Sequence, residues 1–343
     1  MANEPKQNVR WGILSTARIA TKVSRAIDLA SGANLVAIAS RTEERAQSWA
    51  SEHGVSIAYG SYEALLEDSE IDAIYIPLPP AMHAEWTIKS AEHGKHVLCE
   101  KPLAANVEEA LAMADACRRN GVQLMDGVMW VHHRRTAEMK QIIDNRTLGP
   151  LRRITAAFTV NWDKIPEDNI RISKELAGGS LGDLGYYCVR AILWAFGDMP
   201  TQAFATAREY RGVDVNLSGL LWFADERMAS FDCGFDVGSR RWAEVAGTKA
   251  SLVCDDFTIP WKEDSARFWV HAAQGKDTTH KIEGCIQEAV MIERFSNIVR
   301  TGHLEDCWPT DAVNTMCVCD ALCESARRAQ IVELHSLTAT IDQ

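Results

Sequence analysis

The sequence of 343 residues has no uncharged apolar run near the roughly 18 residues that a membrane-spanning helix needs. The best candidates, such as residues 73–84, are interrupted by prolines. An excess of basic residues is also missing, since 36 Lys and Arg against 47 Asp and Glu give a net charge of −11. Such a charge disfavours phosphate backbones and anionic lipid as partners. The sequence therefore predicts a protein that binds neither membranes nor nucleic acid.

Residues 1–9 lack an apolar core behind a basic start, so no secretory leader is predicted and a cytoplasmic location is expected. The ten cysteines include no C-x-x-C pair, which disfavours zinc ribbons and disulfide frameworks and predicts reduced, mostly buried thiols. Cys319 with Cys323, and His93 with His96, have ligand-like spacing. Neither pair has a second half that would complete a tetrahedral site, so we predict no bound metal.

A regular alternation of short apolar runs with amphipathic stretches extends from Val9 to Met125. This alternation is typical of βα units on a parallel sheet. Three intervening helices are expected to begin behind the capping residues Thr42, Ser61 and Asn106. Residues 1–127 are therefore predicted to form a doubly wound α/β domain of the Rossmann type. Its six strands are predicted at 9–14, 35–39, 55–59, 73–76, 97–99 and 122–125.

After Gly149 the pattern changes to longer strand-like runs joined by short polar turns, which favours antiparallel pairing. Residues 128–343 are therefore expected to form an α+β domain with a large, mostly antiparallel sheet. Its strands are predicted at 152–162, 203–210, 215–223, 228–235 and 242–246. Its helices are predicted at 181–196, 286–300 and 312–329.

The first strand is followed by residues 15–20, Ser-Thr-Ala-Arg-Ile-Ala, which have the spacing of G-x-G-x-x-G with small residues at the glycine positions. A dinucleotide site requires a tight turn, close approach of the backbone to the pyrophosphate, and a helix N-terminus aimed at the charge. An ordinary βα turn is the alternative. The position in the first of six βα units favours the nucleotide site. The contacts predicted here are Ser15, Thr16, Ala17, Arg18 and Ile19.

The end of the second strand distinguishes NAD from NADP, because an acidic residue there binds ribose hydroxyls whereas a basic residue accommodates a 2′-phosphate. This sequence lacks an acidic residue at that point and has Ser40 and Arg41. A hydroxyl and a planar guanidinium suit a phosphate, although a solvated Arg beside a helix start is the alternative. NADP is therefore predicted in preference to NAD.

The fourth and fifth strands end in Pro77-Leu78 and in Glu100-Lys101. Ligands bind at the carboxyl ends of parallel strands, so these residues are expected to face the cofactor. A lysine at that edge places a positive charge where it can polarise a substrate hydroxyl. A surface Lys101 paired with Glu100 is the alternative.

Three segments resemble the Gfo/Idh/MocA oxidoreductases in order and spacing: 11–20 (WGILSTARIA), 100–102 (EKP) and 178–187 (GGSLGDLGYY). The late segment 291–295 resembles the closing region of the same family, so the likeness spans almost the whole chain. Within the family the sequence is most similar to the branch of glucose-fructose oxidoreductase, dimeric dihydrodiol dehydrogenase and NADP-dependent xylose dehydrogenase. The resemblance implies an NADP-dependent enzyme that transfers hydride to or from a sugar, polyol or dihydrodiol.

The resemblance assigns the catalytic lysine to Lys101 and a general acid/base, four residues after an aspartate, to Tyr187 with Asp183. The i, i+4 spacing of these two agrees, because it places both on one helix face. Ser180 and Asp183 also have the spacing of a capping box, so Asp183 could instead cap its helix.

Relatives often have an asparagine after a Leu-Pro pair and a histidine three positions later, whereas this chain has Pro80 and His83. The departure removes one contact to the nicotinamide ribose, and His83 is expected to keep its role. Segments that line the cleft in relatives contain Trp130, His132, His133, Trp162 and Arg171. Beyond the first loop, the cofactor contacts implied are Ser40, Arg41, Pro77, Leu78, His83, Glu100, Lys101, Trp162 and Arg171.

Two other functions stay open. One branch of the family hydrolyses glycosides through transient oxidation, and a non-catalytic NADP sensor is another use of the fold. A sensor is expected to have lost Lys101 or Tyr187, and this chain has both. The sugar itself is not predicted, because the choice is expected to lie in loops such as residues 163–177.

The predicted strand 215–223 carries apolar residues on both faces, with Leu217 and Leu221 on one and Leu220 and Trp222 on the other. Helices of the same domain can pack on only one face of the sheet. The apolar residues on the other face therefore need another surface to pack against. Relatives use a second subunit there, and the resemblance implies a homodimer or homotetramer with two-fold symmetry.

Overall fold

The computed structural model describes residues 8–162, 169–272, 275 and 277–334. Two compact units make up the chain, Met1–His132 with Ile286–Val313, and His133–Cys285 with Asn314–Gln343. The sequence places one boundary near residue 127, so the return of Ile286–Val313 to the first unit differs from that expectation. Residues 1–7 and residues 163–168, which belong to the loop 163–177 expected to select the sugar, lie outside the described residues.

Strands and helices alternate in the first half of the chain, and strands predominate afterwards. The strands are β1 (Val9–Leu14), β2 (Ala33–Ala39), β3 (Ile57–Tyr59), β4 (Ala73–Ile76), β5 (His96–Cys99), β6 (Leu124–Asp126), β7 (Leu151–Asn161), β8 (Gln202–Tyr210), β9 (Val213–Trp222), β10 (Met228–Gly234), β11 (Asp236–Gly247), β12 (Ala250–Cys254), β13 (Ser265–Ala272), β14 (Thr278–Glu283) and β15 (Val332–Glu333). The α-helices are α1 (Arg18–Leu29), α2 (Glu43–His53), α3 (Tyr62–Leu66), α4 (His83–Glu92), α5 (Val107–Arg119), α6 (Arg134–Asp144), α7 (Tyr186–Phe196), α8 (Gln287–Thr301) and α9 (Cys307–Arg328).

The first unit is built on a six-stranded sheet in the order β3-β2-β1-β4-β5-β6. Its neighbouring strands are parallel throughout. The strand order reverses between β1 and β4, and ligands of doubly wound sheets bind outside the carboxyl ends of the strands at such a point. The predicted Rossmann fold is confirmed, and the residues that follow β1, β2, β4 and β5 lie at this edge.

Three helices of the first unit begin where the sequence predicts. The side chains of Thr42, Ser61 and Asn106 accept hydrogen bonds from backbone N–H groups of the first turn, at 3.5, 3.2 and 2.9 Å. Each bond satisfies a donor that has no partner inside the helix. Gly54 ends α2 with a φ of 69°, a left-handed conformation that glycine adopts at little cost.

The core of the first unit includes a helix from late in the sequence, α8. The ring of Trp11 in β1 lies 5.0 Å from the ring of Phe295. The indole N–H of Trp11 also donates to Ser296 Oγ at 3.1 Å. Trp11, Phe295 and Ser296 are fully buried. Their contacts explain why α8 belongs to the first unit, which a boundary drawn along the sequence cannot show.

The second unit contains a nine-stranded sheet in the order β14-β13-β12-β11-β7-β10-β9-β8-β15. Its neighbouring strands are antiparallel except β7 and β10, which are parallel. The predicted large, mostly antiparallel sheet is confirmed. One face of β7 and β10 is covered by α7.

Four strands of this sheet, β12, β13, β14 and β15, are absent from the sequence prediction, and β11 begins earlier than predicted. The edge strand β14 reads Thr-Thr-His-Lys-Ile-Glu, and Ile282 is its buried residue. Edge strands are often polar because charged side chains discourage pairing with other chains. A search for apolar runs therefore misses β14.

The remaining composition-based expectations concern thiols, metals and membranes. Six of the ten cysteines are buried, and all ten are free thiols. The described residues contain no group of three or more His, Cys, Asp or Glu that could hold a metal ion. In that same part of the chain, no helix combines the length and apolar character needed to cross a membrane.

Candidate active site

The loop after β1 makes a tight turn without glycine. Ser15 has a φ of 111°, in the region that usually requires glycine. Its backbone N–H donates to Ala39 O at 2.9 Å, which ties the loop to the end of β2. The helix α1 then begins behind Ala17, whose side chain has no atom that could cap it. The N–H groups at the start of α1 can therefore bind an anion.

Ser40 and Arg41 follow β2. Ser40 is buried, and its backbone N–H donates to Tyr59 O at 3.0 Å, whereas the side chain of Arg41 is exposed. Arg45 donates from Nη2 to Thr16 Oγ1 at 3.5 Å, and these two residues line a surface cavity of about 360 Å³. Sequence reasoning missed Arg45. Its spacing of four residues from Arg41 at a helix start is the signal that could have found it.

His83 lies behind the ends of β4 and β5 and links them. Its Nε2 is 2.7 Å from Leu78 O, and its Nδ1 is 2.9 Å from Pro102 O. Burial lowers the pKa of His83, and its ring has no exposed surface. His83 therefore holds the segment after Pro77 beside the segment that carries Lys101. It presents no surface of its own to a ligand, which differs from the expected direct contact.

Lys101 follows β5 on a backbone fixed by its neighbour. Glu100 Oε1 accepts from Tyr75 Oη at 2.6 Å, and Oε2 accepts from the backbone N–H of Lys101 at 3.2 Å. Burial raises the pKa of Glu100. A Cβ on Gly127 would lie 3.1 Å from Glu100 Oε1, so that glycine gives the carboxylate its room. Glu100 thus contacts the backbone of Lys101, and Lys101 itself is half-buried at the carboxyl edge of the sheet.

In the second unit, aromatic and charged residues meet where β7 and β10 end. The backbone N–H of Trp162 donates to Phe235 O at 2.9 Å, and the two rings stack at 4.7 Å. The guanidinium of Arg171 lies 5.4 Å from the ring of Trp162, within range of a cation–π contact. Arg171 Nε also donates to Asp183 Oδ2 at 2.7 Å. The structure thus brings together Trp162, Arg171 and Asp183.

Tyr187 is the second residue of α7, and α7 directly follows a π-helical turn at Leu181–Gly185. It is 8% exposed, and its ring meets the edge of Phe158 at 5.4 Å. The hydroxyl of Ser180 donates to Asp214 Oδ2 at 2.5 Å. Asp183 pairs with Arg171, and Ser180, which makes no side-chain cap bond to the turn that follows it, donates instead to Asp214.

The aromatic segment after β6 is largely buried. Trp130 and His133 are each 1% exposed. The ring of His132 stacks on Trp308 at 4.8 Å, and His133 Nδ1 accepts from the backbone N–H of Arg135 at 2.9 Å. Burial, with a smaller contribution from Arg135, lowers the pKa of His133 to about 4. His132 thus packs on Trp308, and His133 caps α6.

Comparison with known proteins matches both halves of the chain. The model of the oxidoreductase family with an NAD-binding Rossmann fold (GFO_IDH_MocA) matches residues 9–128. The model of the GFO/IDH/MocA C-terminal domain matches residues 136–253. The chain is 36% identical over 329 residues to D-xylose 1-dehydrogenase (NADP(+)) 2 of Haloferax volcanii, covering 94% of this chain and 99% of that protein.

Two further relatives agree. The chain is 31% identical to trans-1,2-dihydrobenzene-1,2-diol dehydrogenase of Xenopus tropicalis, over 71% of this chain and 74% of that protein. Its fold is similar to that of KijD10, a 3-ketoreductase from Actinomadura kijaniata solved with NADP and TDP-benzene. There the TM-score is 0.86 at 28% identity, covering 93% of this chain and 98% of the other. The resemblance seen in the sequence is confirmed, and the chain belongs to the Gfo/Idh/MocA oxidoreductase family.

Proposed function

We propose that this chain is an NADP-dependent oxidoreductase that transfers hydride between the nicotinamide and a carbon bearing a hydroxyl or carbonyl group. The substrate class is a sugar, polyol or dihydrodiol. The observation that carries the proposal is the position of Lys101. Its backbone N–H donates to Glu100, and this bond holds Lys101 at the carboxyl edge of a Rossmann sheet. Relatives named as xylose and dihydrodiol dehydrogenases support the substrate class.

The residues present suit NADP. The left-handed turn at Ser15 and the start of α1 would hold the pyrophosphate, while Arg41, together with Arg45 against Thr16, would hold the 2′-phosphate. Glu100 supports the site by accepting a hydrogen bond from the backbone N–H of Lys101. His83 supports it by linking Leu78 O, after β4, to Pro102 O, after β5. The full set proposed to hold or support the cofactor is Ser15, Thr16, Ala17, Arg18, Ile19, Ser40, Arg41, Arg45, Pro77, Leu78, His83, Glu100, Lys101, Trp162 and Arg171.

Bound NADP supplies the nicotinamide carbon that accepts or gives the hydride. In the oxidative direction Tyr187 accepts the proton of the substrate hydroxyl, and the positive charge of Lys101 stabilises the oxyanion that develops. Asp183, fixed by Arg171, orients the substrate beside Tyr187. In the reductive direction Tyr187 returns the proton.

Cofactor choice gives the first prediction. Arg41→Ala is expected to weaken NADP binding by about 1.5 to 3 kcal/mol, the worth of a charge-assisted hydrogen bond, because the 2′-phosphate loses a guanidinium. NAD has no such phosphate and should bind almost unchanged. Fluorescence quenching titrations with both cofactors measure this. Arg118→Ala, an exposed arginine on α5, is the matched control and should alter neither affinity. Equal losses for the two cofactors would show that Arg41 does not contact the phosphate.

A substrate screen tests the activity itself. The absorbance spectrum of the purified protein is recorded, a panel of aldoses and polyols is added with NADP, and growth of the reduced-nicotinamide band is followed. Reduction of NADP by at least one aldose or polyol of the panel supports the proposal. Cleavage of a chromogenic glycoside without net reduction would favour the hydrolase alternative, and cofactor binding without turnover would favour a sensor.

Self-association is the second prediction, and the proposed state is a homodimer or homotetramer in the cytoplasm. Leu220 and Trp222 are half-buried on the face of β9 opposite the buried Leu217 and Leu221. Light scattering at micromolar concentration should give a multiple of the 38.1 kDa chain mass. Trp222→Glu should reduce that mass, because it places a charge on the face that a second copy would cover.

A tryptophan elsewhere supplies the control for this experiment. Trp261 is 50% exposed, so Trp261→Glu makes the same chemical change at an exposed side chain. Its mass should equal that of the wild type. A wild-type mass of one chain would contradict the proposed self-association.

A further inference from the structure

Asp214, at the start of β9, lies outside the residues that the sequence singles out, and it holds the segment that leads into α7. Its Oδ2 accepts from Ser180 Oγ at 2.5 Å and from the backbone N–H of Leu181 at 2.7 Å. Asp214 is partly buried, and burial raises the pKa of its carboxyl group. The hydrogen bonds that the carboxylate accepts from Ser180 and Leu181 act in the opposite direction and lower that pKa. Asp214 itself is paired with Glu209 in the sheet, so its position is fixed by the strands.

The two glycines before Ser180 allow this close approach. Gly179 has a φ of 128°, and a Cβ there would overlap Asp214 Oδ1. A Cβ on Gly178 would lie 2.6 Å from the carbonyl oxygen of Arg171. That same oxygen accepts from the backbone N–H of Gly179 at 2.9 Å. The loop is therefore fitted between Asp214 on one side and Arg171 on the other.

Leu181, which Asp214 binds, is also the first residue of the π-helical turn Leu181–Gly185. π-helical turns are uncommon and occur frequently at functional sites. A Cβ on Gly185 would lie 2.7 Å from Leu181 Cδ1 and 2.9 Å from Cys233 Sγ, so the wide turn is packed closely against the sheet. Asp183 lies within the turn and Tyr187 two residues after its end, so the place where the turn begins sets the positions of both side chains.

We propose that Asp214 is a positioning residue for the reaction: by anchoring Ser180 and Leu181 to the sheet, it fixes the π-helical turn that sets Asp183 and Tyr187 against the substrate. The proposal rests on the function proposed above. Misplacing a catalytic group by about 1 Å can cost on the order of 10²-fold in rate, which gives such an anchor a measurable effect. Asp214 makes no contact with substrate in this role, and it holds no proton that the reaction uses.

Two measurements on the full-length protein test this. The first is hydrogen–deuterium exchange of the backbone amides from Leu181 to Tyr187, which needs no substrate. The second is single-turnover reduction of NADP by a sugar or polyol that the wild type oxidises. The variants are Asp214→Ala, Asp214→Asn and Ser180→Ala. Ser61→Ala is the matched control, because it removes a serine hydroxyl at the start of another helix.

Asp214→Ala should speed exchange across Leu181–Tyr187 by about tenfold or more, because local opening becomes easier. It should slow the single turnover by about 10- to 100-fold with NADP affinity unchanged. Asp214→Asn keeps a carbonyl oxygen that can take the place of Oδ2 and accept from both Ser180 Oγ and the backbone N–H of Leu181. It should therefore recover a rate within about threefold of the wild type, since hydrogen bonds and not a proton are needed. Ser61→Ala should change neither measurement.

Three results would overturn the proposal: unchanged exchange in Asp214→Ala, faster exchange with an unchanged single-turnover rate, or an Asp214→Asn variant as slow as Asp214→Ala. If Asp214→Ala does not fold, Ser180→Ala provides the test. We expect it to speed amide exchange across Leu181–Tyr187 and to slow the single turnover. Unchanged exchange and an unchanged rate would contradict the role of Asp214 as an anchor. A wild type that oxidises no member of the panel would overturn the proposed function, and the exchange measurement would still test the anchor.

Discussion

Replacing Tyr187 by Phe is expected to slow hydride transfer by about 10²- to 10⁴-fold, the range for loss of a general acid/base. The substitution removes one oxygen and leaves the ring, which lies 5.4 Å from Phe158 and is 8% exposed, in its present packing. Binding of NADP should be unchanged, because the proposed role of Tyr187 is in proton transfer. The loss would then belong to the chemical step.

Single-turnover reduction of NADP across pH measures this step separately from product release. Tyr186→Phe is the matched control, since it deletes the same oxygen one residue earlier in α7 from a fully buried ring. Its rate should stay near that of the wild type. A Tyr187→Phe enzyme with the wild-type rate would remove Tyr187 from the mechanism.

His133 is a second residue to consider as the base, should Tyr187 fail its test. Burial lowers the pKa of His133 to about 4, so near neutral pH it would accept a proton poorly. Its Nδ1 already accepts the backbone N–H of Arg135, which makes it the N-cap of α6. His133→Ala should therefore act mainly on stability, and Lys101 is the residue left to act as base if Tyr187 fails its test.

The sequence predicts the Rossmann sheet of the first unit well because the information for it is local. A strand end followed by Ser40 and Arg41, or by Glu100 and Lys101, is visible in a few consecutive residues, and the parallel sheet brings such ends to one edge. Helix caps such as Asn106 are equally local, since the capping oxygen and its donor are three residues apart.

Contacts between segments far apart in the sequence cannot be predicted from such local patterns. Asp214 binds Leu181 across 33 residues, and Ser296 binds Trp11 across 285. The spacing of Ser180 and Asp183 suggests a local cap, whereas the structure gives Ser180 a partner from a distant strand. Spacing indicates which bonds are possible, and the competing long-range partner decides which one forms.

Lys101→Ala is expected to slow hydride transfer at least as much as Tyr187→Phe, by about 10²- to 10⁴-fold or more. A free tyrosine keeps its proton up to pH about 10. A tyrosine that acts near neutral pH therefore needs a positive neighbour, and the charge of Lys101 also stabilises the oxyanion. Because both residues serve one proton transfer, the double variant should be little slower than the slower single variant.

Two controls separate this role from a surface ion pair. Lys89→Ala removes a lysine that pairs with Glu85 at 2.6 Å, and its rate should match the wild type. Glu100→Gln keeps an oxygen for the backbone N–H of Lys101 but removes the negative charge. If Lys101 only paired with Glu100, the two substitutions at 100 and 101 would cost the same. Catalysis by the lysine charge instead requires Lys101→Ala to be far slower than Glu100→Gln, and single-turnover rates of the two variants decide between these accounts.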